Sequence, residues 1–277
     1  MKKWKKTTYR YLLYRNIINM PVKKKSNEDN YKIMNDIEHV MKRSDTYVGS
    51  LEKTEANCWV YKNDSIEKCQ IEYIPGLYKI FDEILVNSID HVTRCYMDPD
   101  CKNKVTKVKV TVNENTISVF NDGEGIPVAI HKEYNMYIPE MIFGNLRSSS
   151  NYDDDEKKVT GGKNGYGAKL TNIFSTEFII ETVDCHNKKK YIQTFSENMN
   201  KKTKPVITKS GKSKPYTKIT FTPDLKKIFK ISKLSCDFIN LIKKRVYDAA
   251  VCTNTNVSVY FNDEKITCNS LDKYSLL

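Results

Sequence analysis

Residues 161–169 contain a dense run of glycines and read Gly161-Gly162-Lys163-Asn164-Gly165-Tyr166-Gly167-Ala168-Lys169. The run holds four of the ten glycines of the chain within seven residues. Glycine-rich backbone lets several N–H groups approach one anion, and lysines beside it favour a phosphate. The apolar residues 170–174 predict a following helix, whose N-terminus adds the positive end of its dipole. The stretch indicates a phosphate-binding loop, with a flexible surface loop as the alternative.

The run nearly matches the P-loop pattern G-x-x-x-x-G-K-[ST], and the mismatch is informative. Gly162 and Gly167 have the required spacing, but Ala168 stands at the lysine position and Lys169 at the hydroxyl position. A P-loop also follows a strand directly, whereas the polar and acidic residues 151–158 do not predict one. The sequence therefore excludes a P-loop and leaves a phosphate-binding loop of another kind.

Length and composition favour a folded chain with a substantial core. The 277 residues are 39% hydrophobic and 11% aromatic, enough for one large domain or two small ones. No apolar run approaches the roughly 18 residues of a membrane span. The eight cysteines are scattered without a C-x-x-C pair, and with four isolated histidines they form no zinc motif. Dispersed cysteines are typical of a reducing interior rather than of a secreted scaffold.

The positive charge is concentrated at the N-terminus. The net charge is +12, yet residues 1–25 hold nine Lys and Arg and no acid, which leaves 37 basic against 34 acidic residues elsewhere. This tail predicts a disordered basic extension over residues 1–28. Contact with nucleic acid and organelle targeting are the alternatives for the tail. The near-neutral remainder favours a nucleotide-binding module over a primary DNA-binding domain.

Periodicity predicts an α+β fold. Apolar residues at helical spacing predict helices over residues 29–43, 76–90 and 235–251. Alternating valines predict an antiparallel hairpin of residues 107–112 and 116–120, with further strands at 177–183, 190–195, 216–221 and 256–261. Residues 188–190 and 200–214 are predicted to be exposed loops. Strands mostly follow strands, so we expect a sandwich with a mixed, mostly antiparallel sheet covered by helices on one face.

The predicted helix at 76–90 carries a carboxylate and an amide on one face. Glu83 and Asn87 are four residues apart, roughly opposite the apolar stripe, and Val86 lies beside them. Glu83 is suited to orient or deprotonate a water, and the oxygen of Asn87 is suited to Mg²⁺. An ordinary polar helix surface is the alternative for this pair alone.

A polar turn follows the second predicted hairpin strand. Asn121 precedes Asp122-Gly123-Glu124-Gly125, and the two glycines permit a sharp turn where another group approaches the backbone. The amide of Asn121 has the paired donor and acceptor atoms that read a base edge. A simple strand-ending turn is the alternative. Upstream of the glycine loop, residues 148–151 offer hydroxyl and amide groups for ribose or phosphate, or form a polar linker.

Taken in order, these three groups resemble the Bergerat ATP-binding fold of the GHKL group, which includes gyrase, heat-shock chaperones, histidine kinases and mismatch-repair proteins. The shared order is Glu-x-x-x-Asn on a helix, a strand ending in Asn-x-Gly-x-Gly, and a glycine-rich lid before a helix. The local sequence is most similar to the ATPase region of eukaryotic type II DNA topoisomerases. The resemblance covers about residues 29–268, and the segments that carry it are 45–50, 73–87, 149–162 and 164–169.

The resemblance implies a role for each site residue, with ATP and Mg²⁺ as cofactors. Glu83 is implied as the general base and Asn87 as the Mg²⁺ ligand. Asn121 is implied to contact the adenine amino group, and Tyr31 to reach the nucleotide of the partner protomer. The remaining implied contacts are those of ribose and phosphate with Ser149, Ser150 and Asn151, and of the triphosphate with Gly162, Lys163, Asn164, Gly165, Tyr166, Gly167, Ala168 and Lys169.

The resemblance also implies a domain organisation and a mechanism. Residues 29–266 are expected to form the ATPase domain with its N-terminal arm, and residues 267–277 to begin the transducer domain. The transducer lysine and the DNA-cleaving core are not in the chain, so we expect an N-terminal fragment that binds ATP and hydrolyses it slowly. In the whole enzyme, ATP-driven homodimerisation would act as a clamp for the passage of double-stranded DNA, and the resemblance implies a nuclear location.

Three alternative functions fit parts of the sequence. Another GHKL clamp, of chaperone or mismatch-repair type, would share the helix and the lid but not the run at 149–156. A non-catalytic, nucleotide-gated dimerisation module would share the fold but need no Glu83. A basic DNA-binding domain would owe its duplex affinity to residues outside 1–25.

Overall fold

The computed structural model describes residues 34–146 and 165–277. From Asp36 to Leu277 the described residues form one compact unit. Several sequence predictions fall outside the described residues and stay predictions: the tail, the arm and part of the lid, with Tyr31, Ser149, Ser150, Asn151, Gly162, Lys163 and Asn164.

The helices of the described residues differ widely in length. Two are long and form the frame of the helical layer: α3 (Pro75–Met97) and α6 (Cys236–Cys252). The shorter ones are α1 (Asp36–Lys42), α2 (Ser44–Tyr47), α4 (Ile138–Gly144), α5 (Gly167–Ile173) and α7 (Leu271–Tyr274). None of the described helices combines the length and the apolar character needed to cross a membrane.

The strands form a small hairpin and one large sheet. The hairpin is β1 (Thr54–Lys62) with β2 (Ser65–Tyr73). The large sheet has the order β11-β10-β3-β4-β9-β5-β6-β7, with β8 paired to β6. Its strands are β3 (Lys107–Asn113), β4 (Thr116–Asp122), β5 (Ser175–Asp184), β6 (Lys189–Ser196), β7 (Lys201–Lys202), β8 (Val206–Lys209), β9 (Tyr216–Pro223), β10 (Ser258–Phe261) and β11 (Glu264–Lys265).

The sheet is mixed and mostly antiparallel, as the sequence predicts. The pairing of β10 with β3 is parallel, and the other pairings of the described strands are antiparallel. Alternate residues along the central strands are buried, such as Val108 and Val110 on β3 and Phe178 and Ile180 on β5. One face of the sheet therefore packs against the helices, which bury their own apolar stripes there.

Helix α3 begins and packs as its sequence predicts, but it is longer than predicted. Pro75 occupies the first turn, where its missing N–H costs no hydrogen bond. The buried stripe of α3 consists of apolar side chains spaced three and four apart: Leu77, Ile80, Phe81, Ile84 and Leu85. The helix continues for two more turns beyond the predicted end at residue 90, and Val92 and Cys95 extend the stripe.

Helix α6 ties the hairpin and α3 together. Its N-cap is Ser235, whose hydroxyl accepts the N–H of Phe238 at 3.1 Å. Arg245 Nε donates to Asp82 Oδ1 of α3 at 2.8 Å. The ring of Tyr247 stacks on that of Tyr61 in β1, with centroids 4.2 Å apart. A polar contact thus joins α6 to α3, and an aromatic contact joins α6 to the hairpin.

Three parts of the sequence prediction differ from the structure. The helix predicted over 29–43 begins at Asp36 in the described part of the chain. The predicted loop at 200–214 includes the short strands β7 and β8, whose residues are mostly exposed and therefore lack the alternating apolar pattern. The β1–β2 hairpin was not predicted, because half of its strand residues are exposed and its few buried residues give no sustained apolar alternation.

Candidate nucleotide-binding site

One face of α3 carries four polar residues at intervals of four. They are Lys79, Glu83, Asn87 and His91, and this spacing places them along one line of a helix. Asn87 is exposed, while Glu83 and His91 are partly buried. The sequence prediction included the two central residues and missed Lys79 and His91, although the same four-residue interval extends to both.

The Glu83 carboxylate is held between a lysine and a glycine. Its Oε1 forms an ion pair with Lys79 Nζ one turn earlier on α3. Gly167, the first residue of α5, lies against its other side, because a Cβ built on Gly167 would overlap Glu83 Oε2 and lie 2.6 Å from Cδ. A glycine at position 167 is therefore needed to leave space for the Glu83 carboxylate.

Asn121 lies near the end of β4 with both amide protons engaged. Its side chain is buried, with 4% of the residue exposed. Asn121 Nδ2 donates to His91 Nδ1 at 2.7 Å and to the carbonyl oxygen of Asp122 at 2.9 Å. Among the described residues, no donor contacts Oδ1, so Asn121 offers a ligand a hydrogen-bond acceptor.

The histidine that holds Asn121 is a neutral base. Burial lowers the pKa of His91 to about 4, and the nearby Arg94 cation contributes to the same shift. A neutral ring with a free Nδ1 lone pair accepts the Asn121 amide proton, which requires the hydrogen on Nε2. Gly123 leaves room for this ring, since a Cβ there would lie 2.9 Å from His91 Cε1.

The turn after Asn121 is fixed against β5. Gly123 and Gly125 have φ of +119° and +74°, which favour glycine. A Cβ on Gly125 would overlap Val183 O and lie 2.8 Å from Val183 C. The close backbone approach predicted for this turn is therefore made by strand β5 of the same chain.

Side chains of β5 complete the attachment of the turn. Thr182 Oγ1 accepts the N–H of Ile126 at 2.9 Å and donates to Tyr216 O at 2.9 Å. Asp184 Oδ2 accepts the N–H of Val128 at 2.6 Å. Thr182 and Asp184 were missed by the sequence prediction, because nothing in a β-strand pattern indicates which distant N–H a side chain will accept.

The described end of the glycine loop runs into α5. Gly165 has φ of +63°, and Tyr166 precedes the helix. Ala168 and Lys169 are buried, with only 1% of Lys169 exposed. Burial lowers the pKa of the Lys169 amine to about 8. The cation at this position is thus poorly solvated, and an added anion would stabilise it.

The fold and this site define an ATPase class. The chain belongs to the family of histidine kinase-, DNA gyrase B-, and HSP90-like ATPases, which it matches over residues 72–227. Within that family, the predicted resemblance to the ATPase region of eukaryotic type II DNA topoisomerases is confirmed. DNA topoisomerase 2 of Arabidopsis thaliana is 52% identical over 250 residues, which are 90% of this chain and 17% of that protein.

Solved structures agree with this assignment of family and fold. The crystal structure of the ATPase region of Saccharomyces cerevisiae topoisomerase II matches with a TM-score of 0.85 and 45% identity, over 91% of this chain and 65% of that chain. The ATPase and transducer domains of DNA topoisomerase II from Balamuthia mandrillaris match with a TM-score of 0.84 and 46% identity, over 91% and 64%. The chain spans about a sixth of the length of the curated relatives that it matches.

Proposed function

We propose that the chain binds and hydrolyses ATP as the N-terminal gate of a type II DNA topoisomerase. The observation that carries the proposal is the continuous polar line of α3, in which Glu83, Asn87 and His91 share one face and His91 holds Asn121. Together with Asn121, this line offers a base, a metal ligand and a purine contact. Hydrolysis of a purine triphosphate needs all three: a base for the water, an oxygen for Mg²⁺ and a contact for the purine ring.

The adenine contact follows from the hydrogen bonds of Asn121. The exocyclic amino group of adenine is a donor, and Asn121 Oδ1 is an acceptor whose orientation His91 fixes. Guanine carries a carbonyl oxygen at the equivalent position, which would meet the same oxygen. We infer that Asn121 favours adenine over guanine nucleotides.

The Mg²⁺ that accompanies ATP fits the donor set of α3. Mg²⁺ keeps several waters and takes few protein oxygens together with those of the phosphates, and the exposed amide of Asn87 supplies one such oxygen. When bound, Mg²⁺ neutralises charge on the phosphate oxygens. Asn87 would bind the ion through its side-chain oxygen.

Glu83 is positioned to act on the attacking water. A partly exposed carboxylate accepts a hydrogen bond from water and takes its proton as the bond to the γ-phosphorus forms and the bond to ADP breaks. The ion pair with Lys79 orients the carboxylate. Lys169 and the glycine loop, from Gly162 to Lys169, would surround the triphosphate, and Ser149, Ser150 and Asn151 would contact ribose and phosphate.

The gate itself is a proposal about the longer protein. ATP binding would favour a homodimer in which Tyr31 reaches the nucleotide of the partner, and hydrolysis would reset the two protomers. In that setting the cycle is coupled to the passage of one DNA duplex through another, and the protein acts in the nucleus. The 52% identity to a DNA topoisomerase 2 supports this reading over a chaperone or mismatch-repair clamp.

The decisive experiment measures ATP binding and turnover in this chain and in a longer protein that includes the following domain. We expect Glu83→Gln to retain nucleotide binding and to lose turnover by at least about a hundredfold. Glu177→Gln, an exposed glutamate on β5, is the matched control and should behave as the parent. Equal, measurable turnover in Glu83→Gln and the parent would contradict the role of Glu83 as the base, whereas nucleotide binding without turnover in either protein would support a non-catalytic dimerisation module.

A further inference from the structure

The turn after β5 brings three metal-binding side chains together. Glu124, Cys185 and His186 each offer one ligand atom, and these atoms all lie within 4.8 Å of one another. His186 Nε2 is 3.9 Å from Glu124 Oε1. The site proposed for Mg²⁺ uses none of these residues, and their separation along the sequence gave no metal-binding motif.

The backbone already holds these residues in position. Cys185 N donates to Glu124 O at 3.1 Å, which joins the two segments directly. Asp184 Oδ1 accepts the N–H of His186 at 2.8 Å, while its Oδ2 holds Val128 beyond Glu124. Because residues 185–188 form a turn, Cys185 and His186 are not forced to opposite faces as in a strand.

We propose that Glu124, Cys185 and His186 form a zinc-binding site. A thiolate, an imidazole and a carboxylate are the three ligand types that Zn²⁺ takes in proteins. In a tetrahedral site with bonds of 2.0–2.3 Å the ligand atoms are about 3.5 Å apart. The three ligand atoms here lie within 4.8 Å of one another, so side-chain rotation is enough to bring them to that distance. His186 is exposed and has the freedom to make that rotation.

The ligand chemistry distinguishes this ion from Mg²⁺ and Ca²⁺. Both of those ions prefer oxygen ligands, and a site with sulfur and nitrogen donors disfavours them. Three protein ligands leave the fourth zinc position to water or to an added ligand. The expected occupant is therefore one Zn²⁺ per chain, bound in the presence of excess Mg²⁺.

A bound zinc would fasten the turn after Asn121 to the end of β5. Glu124 lies between Gly123 and Gly125, which have positive φ angles and no side chains that could anchor the turn. The metal would add a crosslink at that point. It would raise the stability of the turn without being needed for the contact of Asn121 with His91.

The test is metal binding by the metal-stripped chain, with Zn²⁺ titrated calorimetrically in excess Mg²⁺ and Co²⁺ used as a spectroscopic probe. We expect one tight Zn²⁺ site and a thiolate-to-cobalt charge-transfer band. Cys185→Ser should abolish the band. Cys185→Ser and His186→Ala should each lower the affinity for Zn²⁺ by at least about a hundredfold, which exceeds the usual effect of removing a residue that only supports a ligand. Glu124→Gln should weaken it in the same direction.

Matched variants separate the site from incidental binding. Cys252→Ser and His39→Ala remove an exposed cysteine and an exposed histidine elsewhere, and should leave the affinity and the band unchanged. Unfolding curves of the metal-free variants should overlay the parent, because in the described part of the chain the contact of these three side chains is the one between His186 and Glu124. Absence of a stoichiometric site, or equal losses in the control variants, would overturn the proposal. Failure of ATP turnover would leave it intact, since no step of hydrolysis uses these residues.

Discussion

Asn121 Nδ2 lies 2.7 Å from His91 Nδ1, and this contact joins the sheet to the polar face of α3. Because the amide nitrogen is committed to His91 and to Asp122 O, the oxygen is the group that the side chain can offer to a ligand. An asparagine held in this way presents the same acceptor as an aspartate. For contact with the base of the nucleotide, the orientation that His91 imposes on residue 121 therefore matters more than whether that residue is asparagine or aspartate.

This orientation predicts the effect of two substitutions on nucleotide affinity. Asn121→Leu keeps the size but removes the acceptor, and should weaken a non-hydrolysable ATP analogue by about tenfold to a hundredfold. Asn121→Asp keeps the acceptor but places a carboxylate oxygen where Nδ2 now donates to Asp122 O, and it should weaken the analogue by less than Asn121→Leu does. Calorimetric titration measures both. Parental affinity in Asn121→Leu would show that this oxygen does not contact the base.

The neutral state of His91 predicts a loss of stability in mild acid. Its pKa is about 4 in the folded chain against 6.5 for a free side chain, so the unfolded chain binds the proton more readily. The free energy of unfolding should fall as the pH drops from about 6.5 to 4, by up to about 3 kcal/mol from this residue. Arg94 opposes the protonation and Asp122 favours it.

Urea unfolding across this pH range checks the prediction. In His91→Gln the slope of unfolding free energy against pH should become shallower by up to one proton. His131→Gln, a histidine outside the site, is the control and should keep the parental slope. Identical slopes in the parent and in His91→Gln would contradict the assignment.

The contact between Gly167 and Glu83 predicts a coupled pair of substitutions. Gly167→Ala forces the new methyl against the Glu83 carboxylate, and should lower the free energy of unfolding by about 1–3 kcal/mol and reduce turnover. In a Glu83→Ala background only the Cβ at position 83 remains, 3.1 Å from the new methyl, so most of the cost of Gly167→Ala should disappear. A double-mutant cycle measured by urea unfolding tests this, and additive costs would contradict it.

The buried amine of Lys169 predicts how ATP affinity depends on pH. Its pKa is about 8 in the nucleotide-free chain, and a neighbouring phosphate would raise it because the anion favours the charged form. Binding would then take up protons, so affinity should fall as the pH rises through 8. Lys169→Met should remove this dependence and lower the affinity at pH 7.

Calorimetry in buffers of different ionisation enthalpy measures that proton uptake directly. The control is Lys212→Met, which removes an exposed lysine in a surface turn and should keep the parental pH dependence. A pH dependence that persists in Lys169→Met would assign the proton uptake to another group.

The sequence was sufficient for the fold wherever one periodicity dominated. The valines of residues 108–112 alternate because one face of β3 is buried, and the stripe of α3 repeats because the helix packs along its whole length. The strands β7 and β8 lie at the sheet edge with exposed lysines, so their pairing leaves no apolar pattern to detect.

The site was predicted less completely, for a different physical reason. Glu83 and Asn87 lie on one element, so their shared face follows from helix geometry alone. The bond from Asn121 to His91 and the bond from Ile126 N–H to Thr182 each connect separate elements, and their partners depend on how those elements pack. The cluster of Glu124, Cys185 and His186 depends on packing in the same way.

The crowding of Gly167 against Glu83 has a consequence for how such chains are recognised. A glycine at this position is required by the volume of a glutamate, whether or not a phosphate ever reaches the loop. A chain that had lost its nucleotide but kept the carboxylate would still need the glycine. In a related chain, a larger residue at this position would therefore indicate that Glu83 is altered too, whereas the glycine alone indicates neither the carboxylate nor nucleotide binding.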